Sequence, residues 1–412
     1  MAHDDHFHCF DFPKGTKPSA KGSAVRTDTF LRGVPKAKPD LEFYSLTEDL
    51  RALETRQNAK LKGSALLDTL GKTAGGRDLH VLKLGARAND MPKKARVLFN
   101  AGLHAREWIG PTYLYLLAEW LVDHYPAGAP ANDAEKCVKA LLDDNHVWFV
   151  PMCNPDGHEY TVQLFRFFRK NSPAGDARFI KSPKAAPKRD PAAPPSIDLN
   201  RNFDTKQWST IVKSGTGMFS TDRDDDSFCG TKPAEAEEVK LLQKMIDVTP
   251  FDVAVDHHSF SCFMMWPPGD DFIASPADAR LQAFINAMRT QINGRAAQKK
   301  NETTAGGPDT WKSAQIALFY HSLHGIPKAE SVIPGSISDY VHYAALKAKR
   351  DCAAFSMELP PMLHPGTPGF DLPEKHIPAV FRQVIATSLG LIANAKNPSP
   401  KQSDFDPFDK IV

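Results

Sequence analysis

The chain has 412 residues, enough to bury a large core in one α/β domain or in two or three smaller ones. Its hydrophobic content of 42% and charged content of 24% are those of a globular chain in water. A formal net charge of +2, without a long Lys/Arg run, gives no reason to expect nucleic acid or another polyanion as partner.

Residues 1–40 are rich in Lys, Pro, Gly and Ser without sustained periodicity, and read as an N-terminal extension. Its His3, His6, His8 and Cys9 are assigned to a solvated terminus. No apolar run follows basic residues there, so no secretory signal is expected. A helix is predicted over 45–58, where Thr47 precedes the acidic Glu48 and Asp49. "RDLHVLKLG" then reads as a strand with both faces at least partly covered.

Four further runs suit buried strands: "RVLFNAGL" (96–103), "HVWFVPM" (146–152), "FDVAVD" (251–256) and "CAAFSME" (352–358). Helical patterns occupy 112–125, 134–143, 234–247, 277–298 and 374–394. The most apolar stretch, 113–122, is interrupted by Glu119 and too short to span a bilayer, so no membrane partner is expected. The alternation predicts an α/β fold: a single large domain with a mixed, mostly parallel β-sheet flanked by helices on both faces. The domain is placed at 41–396, with a Pro-rich surface insert at 171–197, a Gly/Ser/Asp-rich loop at 214–231 and a polar tail at 397–412. Six cysteines, at 9, 137, 153, 229, 262 and 352, are irregularly spaced with no C-x-x-C, and read as free thiols rather than a disulfide framework. With no signal visible, a reducing, cytoplasmic location is the expectation.

Open α/β sheets place their sites at the carboxyl ends of strands. "GLHAREWIG" (102–110) follows the first of the four runs, "CNPDG" (153–157) the second and "DHHSFS" (256–261) the third, while Glu358 closes the fourth. Taken alone, Glu107 suits the positive end of a helix dipole as well as it suits a metal, and the H-x-x-E spacing decides nothing. His258 alone suits a core histidine. Four polar clusters at one end of four core strands shift the balance. Two imidazoles and one carboxylate with an open fourth position make a catalytic zinc site, whereas a structural zinc is closed by four ligands, usually with cysteine.

The pieces "GGRDLHVLKLG", "HAREWIG", "NPDGHEYT", "RFFRKN", "DLNRNFD", "HHSFS" and "MEL" resemble, in order, the carboxypeptidase A-like family of zinc metallocarboxypeptidases, from about Phe43 through Ile392. The resemblance implies that 41–396 is a catalytic domain acting on peptide or protein C-termini. It implies one Zn2+ per chain, held by His104, Glu107 and His258. His258 is preferred to His257 because it directly precedes Ser259 and Phe260. Asp198 matches the carboxylate that hydrogen-bonds a zinc histidine, fixing its tautomer and raising its basicity. Glu358 matches the general base, which takes a proton from metal-bound water and passes it to the leaving amine. Arg169 matches the group that stabilises the tetrahedral oxyanion. Asn200 and Arg201 match the pair that binds the terminal carboxylate, for which arginine offers a bidentate fork. Arg106 and Arg166 match residues lining the approach further along the peptide.

The chain departs from the family in several places. A mobile tyrosine is usual ahead of a "SGGSIDW"-like stretch. In "SVIPGSISDY" (331–340) that position falls near Ser331 or Val332, with Tyr320, Tyr340 and Tyr343 as candidate replacements. Pro360 stands where Arg is frequent, and an extension of about forty residues suggests no inhibitory prodomain. The insert lies between Arg169 and Arg201, where it would reshape the cleft rim. The pocket-floor position falls on Ser338, or on Ile337 if one residue is inserted; neither is charged, so apolar or aromatic C-terminal residues are expected over Lys and Arg. Three other readings compete. A zinc amidohydrolase or acylase would not need the whole Asn200, Arg201, Arg169 and Glu358 set. A carboxypeptidase trimming C-terminal glutamate needs cations in its side-chain pocket. A non-catalytic peptide-binding homologue would be expected to have lost a ligand or the base.

Overall fold

The computed structural model describes residues 42–85, 94–163, 166–171, 195–298, 310–361, 369–372 and 376–411. The extension at 1–40 and most of the 171–197 insert lie outside them. The strands are β1 (Ala65–Lys72), β2 (Asp78–Gly85), β3 (Ala95–Ala101), β4 (Asn145–Val150), β5 (Val253–Ser259), β6 (Phe263–Trp266), β7 (Lys312–Gln315) and β8 (Ala353–Leu359). They form one sheet in the order β1-β2-β4-β3-β5-β8-β6-β7. β3 runs parallel to β4 and β5, β5 to β8, and β6 to β7. The β1–β2, β2–β4 and β6–β8 pairs are antiparallel. The mixed, mostly parallel α/β sheet expected from the strand–helix alternation is therefore the one formed.

The helices are α1 (Glu42–Lys60), α2 (Ile109–His124), α3 (Asp133–Asp144), α4 (Pro155–Gln163), α5 (Trp208–Ser214), α6 (Glu237–Val248), α7 (Asp278–Gln298), α8 (Phe319–His324), α9 (Ile337–Lys347) and α10 (Ile377–Ala393). Side chains alternate across a strand, so each central strand feeds two cores. Val97 and Phe99 of β3 and Phe355 of β8 join Leu114 and Leu117 of α2, Phe284 of α7 and Val384 of α10 on one face. Leu98 and Ala354 join Val239 and Leu242 of α6 and Val341 of α9 on the other. That double burial is why the central strands read as continuous apolar runs.

β1, β6 and β7 were not predicted. β1 is an edge strand with polar Asp68 and Lys72, and β6 and β7 have only four residues each, too short for a period to register. The expected polar tail is corrected in part. Phe405 is wholly buried in the main core, and Gln291 of α7 donates to its carbonyl at 2.8 Å. One aromatic among acidic neighbours leaves no periodic signal. Cys137, Cys153, Cys229, Cys262 and Cys352 are free thiols, and Cys9 lies outside the described residues. No helix among the described residues is long and apolar enough to cross a membrane.

β3 is flanked by parallel neighbours on both sides, with the connections leaving in opposite directions. A crevice opens at the carboxyl ends of such strands.

Candidate active site

Beyond Ala101 the backbone turns at Gly102, whose φ of +73° is open to glycine at no steric cost. The turn carries His104 and Glu107 inward before α2 begins. Glu107 does not cap that helix; Trp108 occupies the N-cap position without a side-chain cap. The Glu107 carboxylate instead lies between two imidazoles. Oε1 is 2.7 Å from His104 Nδ1 and Oε2 is 2.8 Å from His258 Nδ1, and Oε2 also accepts the Ser259 amide at 3.2 Å.

His258 sits at the end of β5, in register with Glu358 on the parallel β8. Strand alternation separates it from His257, which turns into the core against Phe99 and Tyr113. Burial pushes the His257 imidazole down to about 4. The outward nitrogens of the paired histidines both meet carboxylates. His104 Nε2 is 3.3 Å from Asp198 Oδ1, and His258 Nε2 is 2.6 Å from Asp256 Oδ2. Asp256 was not among the predicted residues, although its position two before His258 on a strand puts both side chains on one face. It is buried, and Asn100 donates to its other oxygen.

Asp198 also receives Arg169, from Nε at 2.9 Å and Nη2 at 2.8 Å. Burial alone would raise the Asp198 carboxyl; Arg169, His104 and Arg201 outweigh it and hold it well below its usual range. Burial would likewise lower His258, but Asp256 and Glu107 hold it well above the usual imidazole range. Burial pushes Glu358 up to about 8, with His258 and Arg169 opposing and Glu107 and Asp256 adding.

One cleft is lined by His104, Glu107, His258, Glu358, Arg169, Asn200, Arg201 and Arg106. Asn200 is fixed from behind, its Oδ1 accepting the Ile337 amide at 3.0 Å. Arg201 is 3% exposed and donates to the carbonyls of Met218 and Asn200. Among the described residues it forms no ion pair, so its charge remains for a ligand. Gly335 makes room for this segment; at φ +73° an added Cβ would sit 2.4 Å from the Arg201 carbonyl.

The other predicted residues divide between the cleft and its surroundings. Arg166 does not line the cleft. It stacks 3.8 Å from the Trp108 ring and donates to the carbonyls of Arg106 and Phe370 at 2.8 Å each, bracing the cleft wall. Arg106 is at the cleft, paired with Asp226 at 3.0 Å. "CNPDG" supports the site from outside, with Asn154 donating to the carbonyls of Leu103 and Lys170. Of the three tyrosines, Tyr320 lines the cleft, whereas Tyr340 binds Asp247 and Tyr343 binds Asp270. Ser331 and Val332 do not line it. Neither do Ile337 and Ser338; Ser338 donates to the Phe355 carbonyl and meets the hydroxyl of Ser356, which does line it.

The donor set suits a divalent cation. One ligand atom each from His104, Glu107 and His258 lies within 4.8 Å of the others. Carboxylates at both Nε2 atoms favour the tautomer with the proton there, leaving the Nδ1 lone pairs for a metal. Two nitrogens and one oxygen, open on the cleft side, match zinc.

Comparison with known proteins agrees. Residues 53–387 match the Peptidase_M14 family, zinc carboxypeptidase. Human carboxypeptidase A6 is 23% identical over 353 residues, 84% of this chain and 69% of that protein. An inactive metallocarboxypeptidase ECM14 of Ajellomyces capsulatus (strain H143) is 26% identical over 209 residues, 50% of this chain and 31% of its own length. The chain covers less than half the length of such fungal relatives. The structure of carboxypeptidase A from Helicoverpa armigera shares the fold, with a TM-score of 0.64 at 19% identity, covering 92% of this chain and 82% of that one. So does bovine thrombin-activatable fibrinolysis inhibitor, in complex with a tick carboxypeptidase inhibitor, with a TM-score of 0.63 at 20% identity, covering 85% and 96%. With the family match spanning most of its length, the chain belongs to the zinc carboxypeptidases.

Proposed function

We propose that the chain is an active zinc carboxypeptidase that releases the C-terminal residue of peptides, with a preference for apolar or aromatic side chains. The observation that carries this is the convergence, in one cleft, of the His104–Glu107–His258 donor set, the carboxyl of Glu358 and the buried cation of Arg201. His104, Glu107 and His258 would hold the zinc. When bound, it supplies a Lewis acid that polarises the scissile carbonyl and makes water acidic enough to attack near neutral pH. Glu358 takes the proton from the attacking water and delivers it to the leaving amine. Arg169, held by Asp198, directs its guanidinium at the negative charge that develops on the carbonyl oxygen. Arg201 and Asn200 take the terminal carboxylate, which makes the reaction one of chain ends. Met265, Ile316, Phe319 and Ile333 give the cleft an apolar wall. The acidic residue closest in sequence to the expected pocket floor, Asp339, is turned to the amides of Gly269 and Asp270 and is not on offer to a basic side chain.

The test compares one blocked dipeptide ending in Phe with its amide and with its Arg-ending counterpart. A buried guanidinium that finds a partner only in a free carboxylate discriminates by several kcal/mol, so the free acid should be cleaved and the amide rejected strongly. Arg201→Ala should raise KM for the acid and lose most of that preference. Equal cleavage of acid and amide by the wild type sinks the carboxypeptidase reading, and faster release of Arg than of Phe sinks the side-chain preference. Binding of the free acid without turnover, in zinc-loaded protein, would place the chain with relatives that carry the name inactive.

A further inference from the structure

Behind the apolar wall lies a second cluster of acids that the proposed reaction does not use. The segment after β6, residues 267–271, supports that wall by its carbonyls. Gly269 O accepts the amide of Ile333 at 2.8 Å, and Pro268 O accepts that of Ala317 at 3.3 Å. Ile333 and Ile316 both line the cleft. The segment is clasped from the opposite side by Asp339 in the first turn of α9. Both carboxylate oxygens of Asp339 accept the Gly269 amide, at 2.8 and 2.9 Å, and Oδ2 accepts the Asp270 amide at 3.1 Å. The Asp270 carboxylate then accepts the Gln207 amide at 3.0 Å and the Tyr343 hydroxyl at 2.6 Å, tying in the segment that follows Asn200 and Arg201. Thr205 of that segment accepts the amide of Gly335 at 3.2 Å.

Asp270 is 3% exposed and Asp339 is not exposed at all. Every donor just named is neutral. Among the described residues no Lys, Arg or His forms an ion pair with either carboxylate. Among the described residues, the ionisable groups facing the pair are Tyr343 of α9 and Asp271 of the same segment. His342 turns to Ser275, and Lys206, next to Gln207, is exposed. Two buried negative charges without a counter-ion repel each other and lose hydration, at a cost that one proton removes. Burial raises both carboxyls, and Asp270 raises Asp339 further.

We propose that Asp270 and Asp339 form a buried carboxyl clamp, carrying one proton between them, that positions the apolar wall and the Asn200–Arg201 segment for the C-terminal residue. Their role is positioning, because neither lines the cleft. The positioning of substrate rests on the carboxypeptidase reading; the clamp itself does not. The sign of its pH dependence follows from the raised carboxyls. The folded chain keeps a proton that the unfolded chain releases in the ordinary carboxyl range, so stability falls as pH rises from that range to the folded value and is flat above it.

The test has one arm in stability and one in kinetics. Asp270→Asn removes a charge while keeping polar partners for Gln207 and the rotatable Tyr343 hydroxyl. Its melting temperature, taken without substrate, should lie nearest that of the wild type at acid pH and exceed it by a growing margin as pH rises above the ordinary carboxyl range. Asp270→Ala should be less stable than Asp270→Asn at every pH. Equal losses in Asn and Ala variants at every pH would overturn the one-proton clamp whatever the enzyme does. In the kinetic arm, Asp270→Ala and Asp339→Asn should raise KM for a Phe-ending peptide by about tenfold, the equivalent of one hydrogen bond to a charged group, with kcat within about twofold. A fall in kcat at unchanged KM would overturn the positioning role. A wild type with no peptidase activity would count against the carboxypeptidase reading and end the positioning role with it, while the melting comparison still judges the clamp.

Discussion

Asp256 shows how much one buried side chain decides at this site. His258 turns Nδ1 toward Glu107 and the proposed metal position, while its Nε2 is held at 2.6 Å by a carboxylate that is itself fixed by Asn100. Partners of this kind, behind a metal-binding imidazole, contribute about 10–100-fold in metal affinity. Asp256→Asn should therefore weaken zinc binding by about that factor in chelator competition, with the fold intact by circular dichroism. Unchanged affinity would reduce Asp256 to a packing residue. Glu358 should behave oppositely, because in the proposed reaction it moves a proton and is not one of the donor set. Glu358→Gln should keep zinc near one per chain by metal analysis and lose nearly all turnover, whereas His258→Ala should lose most of the metal. Zinc loss in Glu358→Gln would move that residue among the ligands.

Among the elements, the C-terminal segment departs most from its sequence. Composition marks 397–412 as polar, yet Phe405 fills the space above Gly390 of α10, where an added Cβ would come within 2.2 Å of its ring. It also meets Phe284 of α7 edge-on, with ring centroids 6.4 Å apart. A fully buried aromatic so placed costs about 3–5 kcal/mol to truncate. Phe405→Ala should thus unfold at clearly lower urea concentration than the wild type. Its KM should change little, because Phe405 does not line the cleft. A midpoint shift below about 1 kcal/mol would mean that the segment is dispensable to the core. The same limit governs β6 and β7. A four-residue strand gains its place from its neighbours, here β8, and shows no pattern of its own.

For the whole molecule, stability should depend on pH through Glu238, which is buried at the start of α6. Asn171 donates to one oxygen at 3.1 Å, and the other has no hydrogen-bond partner among the described residues. Burial pushes this carboxyl up from 4.5 to about 7, with Asp156 adding to the effect and Asn171 opposing it. The folded chain then holds a proton that the unfolded chain releases, so stability falls between those two values and is flat above them. The loss amounts to about 3 kcal/mol at full extent. Glu238→Gln should match the wild type near pH 4.5 and exceed its denaturation midpoint at pH 8; equal midpoints at pH 8 would mean that Glu238 is solvated. By itself the sequence determined the α/β class, the five strands β2, β3, β4, β5 and β8, and the polar clusters at the carboxyl ends of four of them, whereas the choice of His104, Glu107 and His258 came with the family resemblance. Each rests on a local pattern: two-sided burial of central strands, and motifs at strand ends. Only the tertiary structure decided what joins segments far apart in the chain. It paired Asp256 with His258 behind the donor set, and it spent Arg166 on carbonyls of the wall while leaving Arg201 in the cleft without an ion pair among the described residues. It also brought Asp270 and Asp339 together. The physical reason is that hydrophobic period and motif spacing record which face a residue presents, whereas the partner of a buried charge is fixed by the packing of elements that share no local pattern.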